Sequence, residues 1–227
     1  MNKKWGNVEF VLVTWAGLAL VLSILATLYL RGSFPIFTFI WLIVPLLSVI
    51  RTHDAHRVGF SRTSWMKFLS TTAINLTLLL VISLTVEPWS HTYQALVRGA
   101  ISSTPPDTTF AWLVHFKGVT AWGGLLLYSG LVTIFGEELF FRGWLLHSFQ
   151  RRMSKTWTIV IQAALFTIPQ LLVAFLLTPI QGIMYSVAYS FFGVGIIGGW
   201  AAARTQSIWP SLVSATIWNV IMVACVL

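Results

Sequence analysis

Apolar stretches of membrane-spanning length recur along this chain, at residues 8–30, 34–50, 68–86, 120–141, 156–177, 180–203 and 208–227. About 20 apolar residues wound as a helix cross the hydrocarbon core of a bilayer, and a helix satisfies its own backbone groups there. The pattern predicts an all-α fold: a polytopic helical membrane protein of about seven transmembrane helices, with residues 1–227 forming a single integral membrane domain. Only 9% of the residues are charged and 57% are hydrophobic, against about 25% charged in a soluble domain, which excludes a soluble enzyme. The run at 8–30 is too long for a signal peptide's apolar region and lacks a small-residue cleavage signature, so it is expected to be an uncleaved first span.

Charge fixes the expected orientation. With the N-terminus in the cytoplasm, only Arg31, Arg98 and Lys117 of the 14 Lys+Arg residues fall on the far side. That is the positive-inside pattern, and it makes the net charge of +8 a mark of topology beside anionic lipid, with no nucleic-acid partner implied. The expectation is a multi-pass plasma-membrane protein, bacterial in type, whose partners are membrane lipids and a membrane-associated peptide or protein. One long external segment, 87–119, carries the turn-rich stretch Ser102, Ser103, Thr104, Pro105, Pro106 and Asp107. Cys225 is the single cysteine, so a disulfide framework and a cysteine-ligated zinc are both excluded.

Ionisable residues within a span are costly and mark candidate functional sites. The deep cluster is Gly136, Glu137, Glu138, Leu139, Phe140, Phe141, Arg142 and Gly143, at the cytoplasmic end of the fourth span. Arg142 follows Glu138 by one helical turn, so the two are expected to pair. Glu137 is then left about 100° round the helix without a local cation. Such a carboxylate, in a pocket poor in water, suits the removal of a proton from a water molecule. The alternative is that both acids and Arg142 form a structural ion network near the headgroups.

The string Glu137, Glu138, three residues, then Arg142 and Gly143 resembles the first signature of the CPBP family of intramembrane proteases, the CAAX-processing and bacteriocin-processing enzymes also called the Abi family. The turn Val58, Gly59, Phe60 and the basic stretch before the third span add to the likeness, which covers residues 51–227. The family's second signature is Phe-x-x-x-His, and its third is His-x-x-x-Asn or Asp. Phe166 and Asn219 match those patterns, but Gln170 and Ala215 stand where the two histidines belong. The resemblance implies a glutamate-dependent endopeptidase acting on membrane-associated peptides or lipoproteins. Its implied catalytic residues are Glu137, Glu138, Arg142, Gln170 and Asn219, with Phe141 and Phe166 as substrate contacts.

The missing histidines bear on the chemistry. No cofactor and no metal are expected, because Glu137 and Glu138 alone fall short of the three protein ligands of a catalytic zinc. His147 lies nine residues beyond Glu138, about half a turn round and roughly 13 Å along a continuous helix, so it reads as an interfacial or solvated histidine. His53, His56, His91 and His115 lie in loops. The amides of Gln170 and Asn219 could donate to a developing oxyanion, or they could serve only as interhelical hydrogen bonds. The sequence contains no HExxH, no GxGD and no Gly-x-Ser-x-Gly. Gly193, Gly195, Gly198 and Gly199 give the sixth span a small face, and Pro169 and Pro179 are expected to bend or end the fifth. Two readings stay open: a peptidase with an altered site, and a catalytically silent membrane scaffold or regulator that binds another membrane protein. A small-molecule carrier subunit is a third, weaker one.

Overall fold

In a computed structural model of the protein, the described residues are 36–85, 134–174 and 178–224, with Gly17, Val21 and Gly123 as isolated helical positions. The expected first span, the external segment and most of the fourth span lie outside them. Helix α1 is Ile36–Thr52 and α2 is Trp65–Thr85, joined through a 3-10 turn at Ala55–Val58. Helix α3 runs without a break through Phe135–Glu137, a π-helical stretch Glu138–Leu145, and Leu146–Gln150. Helix α4 is Lys155–Ala174. Helix α5 combines Pro179–Met184, a π-helical stretch Tyr185–Ile197 and Gly198–Thr205, and α6 is Trp209–Ala224. No strand occurs among the described residues.

Two of these helices, over Trp65–Leu84 and Gly182–Thr205, are long and apolar enough to cross a membrane. The faces of α2 show what that helix is built for. Its exposed side carries Leu69, Ile74, Leu78, Val81 and Leu84, while Thr71, Thr72, Asn75 and Ser83 are buried. A water-soluble helix has the reverse arrangement. With lipid outside, burial of apolar surface no longer drives packing, and polar contacts such as Asn75 Nδ2 donating to Ser214 Oγ hold α2 to α6.

Small residues set the spacing elsewhere. A Cβ on Gly195 would fall 2.8 Å from the Cβ of Ala163, and one on Gly198 would fall 3.2 Å from the Arg142 guanidinium. The small face of α5 therefore lets α4 and Arg142 approach its backbone. Of the two outcomes expected at Pro169, a bend or an end, the helix does not end there: α4 continues to Ala174, giving up one backbone bond at the proline. Pro179 begins α5, where a missing N–H costs nothing.

The turn between α1 and α2 is tied to the bundle. Asp54 accepts from the His56 N–H at 3.0 Å. Gly59 then takes φ 78, a left-handed conformation that glycine adopts without strain. Its carbonyl accepts from Ile208 N–H at 3.0 Å, and a Cβ there would meet Ile208 at 2.7 Å and His147 at 3.3 Å. Val58 is buried in one cluster with Leu139, Phe140, Phe141, Trp144 and Phe166. This loop thus braces the helix that carries the two glutamates.

Candidate active site

Adjacent glutamates on one helix must point in different directions, and the neighbours of each decide what it can do. Glu138 is buried. Its Oε1 lies 3.5 Å from Arg142 Nη1, and its Oε2 accepts from Ser211 Oγ on α6. The guanidinium is fully buried. It donates from Nη2 to the Val194 carbonyl at 2.6 Å and lies 4.3 Å over the Phe166 ring. One cation therefore ties α3, α4 and α5 together while neutralising Glu138.

Glu137 faces elsewhere and is only half-buried. Its Oε1 accepts from Gln170 Nε2 at 3.2 Å, and the other end of that amide, Oε1, accepts from the Tyr185 hydroxyl at 2.8 Å. The structure thus places one carboxylate in an ion pair and the other against an uncharged amide from the next helix. The Glu138–Arg142 spacing predicts a pair on α-helical geometry. The chain is π-helical over Glu138–Leu145, a local widening frequent at functional sites, and the two side chains still meet.

The remaining candidates divide. Asn219 is buried beside Trp218 on α6, two turns along that helix from Ser211. Phe141 and Phe166 are 1% and 2% exposed and pack edge to face, with ring centroids 5.2 Å apart. Both lie in the core, and Phe166 forms the floor beneath Arg142.

His147 also departs from expectation. It is buried, and its Nδ1 donates to the Gly143 carbonyl at 2.7 Å. Lying beyond the expected fourth span, its imidazole is pushed below the usual range by burial, against the opposing pull of the Gly143 and Arg142 carbonyls. It braces the Gly59 turn and stands apart from Glu137. His53 and His56 are exposed, and His91 and His115 lie outside the described residues. Among the described residues no three His, Cys, Asp or Glu side chains converge on one point.

Sequence reasoning missed Ser211 and Tyr185. A serine in a span is common and carries no flag. Tyr185 and Tyr189 recur at helical spacing in an otherwise apolar run, which is the one signal that could have singled them out.

The described residues form an all-helical bundle in which α2 turns an apolar face outward and one ion-paired and one amide-bound carboxylate stand side by side on α3. Residues 119–221 match the family described as Type II CAAX prenyl endopeptidase Rce1-like. The match contains every signature position from Glu137 to Asn219, and it supports the resemblance of this region to the CPBP family of membrane-embedded CAAX-type proteases. The turn at Val58 and Gly59 precedes the matched residues yet packs against Gly143 and Ile208 within them. No curated protein and no solved structure matches the chain.

Proposed function

We propose that the protein is a multi-pass intramembrane endopeptidase of the CAAX-processing kind, using Glu137 as its base and the Gln170 amide where the second signature has a histidine. Its substrates are membrane-associated peptides or lipoproteins, cut near the cytoplasmic interface. The observation that carries this reading is the bond from Gln170 Nε2 to Glu137 Oε1 at 3.2 Å, which puts an amide donor from the second signature beside the free carboxylate of the first.

In this reaction Glu137 takes a proton from water, and the water oxygen attacks the scissile carbonyl carbon. The second N–H of Gln170 donates to the oxyanion that forms, with Asn219 as a further amide donor. When the intermediate collapses the C–N bond breaks, and Glu137 returns its proton to the leaving amine. Arg142 keeps Glu138 neutralised, so that the two adjacent acids do not repel each other. Without a histidine as a second acid–base group, turnover is expected to be slow, by about 10² to 10⁴.

Seven spans with a cytoplasmic N-terminus in a bacterial plasma membrane complete the reading, supported by the distribution of the 14 basic residues and by the outward apolar face of α2. The test is cleavage of a prenylated CAAX peptide by purified protein in lipid vesicles. Glu137→Gln should abolish turnover with helicity and melting unchanged. A second reading, a catalytically silent scaffold, is favoured by Gln170 and Ala215 standing where histidines are expected. Equal binding of a peptide or protein partner by wild type and Glu137→Gln, with no cleavage by either, would establish it.

A further inference from the structure

A glutamine side chain has two ends of nearly equal shape and opposite chemistry: the nitrogen donates and the oxygen accepts. Set beside a carboxylate it works only with the nitrogen inward, since the oxygen would meet Glu137 with no proton between them. A contact to Glu137 alone fixes this orientation weakly, because a buried carbonyl oxygen left without a donor is costly and pulls the side chain toward other partners. Here that oxygen has a donor, the Tyr185 hydroxyl at 2.8 Å.

Tyr185 is itself held. Its ring is 5% exposed and stacks on Tyr189 with centroids 5.5 Å apart and planes 20° from parallel. Tyr189 packs on Trp218 at 5.2 Å, and Trp218 Nε1 donates to Ser83 Oγ at 2.8 Å. The phenol is therefore fixed by a ladder of rings running from α5 through α6 to a hydrogen bond on α2. Its hydroxyl bonds the far end of the amide.

We infer that Tyr185 is a positioning residue for the amide site: it holds the Gln170 carboxamide with its nitrogen toward Glu137, and so lets a glutamine serve where the family signature has histidine. The inference rests on the peptidase reading for its effect on rate, but the geometry it concerns can be read without turnover.

The experiment compares wild type, Tyr185→Phe, Gln170→Ala and the double variant in lipid vesicles, with a prenylated CAAX peptide as substrate. Phenylalanine keeps the stacked ring and removes only the hydroxyl. Tyr185→Phe should lower kcat about tenfold with KM within twofold, and should add nothing in the Gln170→Ala background. In parallel, solid-state NMR of protein labelled at glutamine side chains reads the Gln170 amide, identified by its absence in Gln170→Ala. Its carbon and nitrogen resonances should both move in Tyr185→Phe.

Unmoved Gln170 resonances, or a Tyr185→Phe loss that persists in full when Gln170 is alanine, would overturn the inference. A wild type that cleaves nothing, while the resonances shift as expected, would overturn the peptidase reading and leave the positioning role intact.

Discussion

Replacing Arg142 with methionine removes the one cation inside the signature helix and leaves the buried Glu138 carboxyl with only Ser211. Three contacts are lost together: the ion pair at 3.5 Å, the bond to the Val194 carbonyl at 2.6 Å and the packing over Phe166 at 4.3 Å. A hydrogen bond to a charged group contributes about 1.5–3 kcal/mol, and a desolvated cation–π contact about 2 kcal/mol. Because one side chain makes all three contacts the terms do not add, and removing one partner of a buried pair costs about 3–5 kcal/mol. Arg142→Met is expected to fall in that range. Arg142→Lys should lose less, since lysine keeps the charge but cannot face the carboxylate, the carbonyl and the ring at once. Adding Glu138→Gln to Arg142→Met removes the orphaned charge, so the double variant should be more stable than the sum of the two single losses by about 1–3 kcal/mol. Reversible unfolding in mixed micelles, followed by circular dichroism, measures all four. A loss under about 1 kcal/mol for Arg142→Met, with the two substitutions additive, would refute the claim that this pair organises the site.

Gly143→Ala would drive a Cβ into the Val58 carbonyl and should cost about 1–3 kcal/mol as overpacking. At Gly136 the nearest atom to an added Cβ is Trp41 Cβ at 3.5 Å, ordinary contact, so Gly136→Ala should be tolerated; equal melting shifts in the two would contradict the contact geometry. His147, whose folded-state pKa burial holds below its ordinary value of 6.5, binds its proton more readily unfolded than folded. Its contribution to stability is full above that ordinary value and is lost as pH falls below it. A melting series from pH 7.5 to 5.5 should decline in the wild type more steeply than in His147→Gln, and parallel declines would count against the buried neutral imidazole.

Much of the site was legible because its logic is local. Glu138 and Arg142 lie one helical turn apart, and no tertiary information is needed to pair them or to set Glu137 aside. Signature spacing singles out Gln170 and Asn219, and the structure sets the Gln170 amide against Glu137. What escaped depends on packing between distant segments. An aromatic residue beside a signature carries no mark of which way it faces, so the burial of Phe141 and Phe166 in the core is not legible from their spacing. His147 is expected to be interfacial or solvated from its distance along the helix, whereas the Gly59 turn packs over it. The π-helical stretches in α3 and α5 have no residue signal. Tyr185 was passed over because its role exists only through Gln170, a relation that no single-residue rule reveals.

The central claim, that Glu137 activates water for peptide hydrolysis, is tested most directly by running the purified protein in lipid vesicles in water enriched in 18O, with a prenylated CAAX peptide, and weighing the products. Hydrolysis by this site predicts a single cut, with one 18O in the new C-terminal carboxylate from the wild type and no product from Glu137→Gln. An intact peptide after prolonged incubation with wild type, or the same labelled product from both proteins, would contradict it.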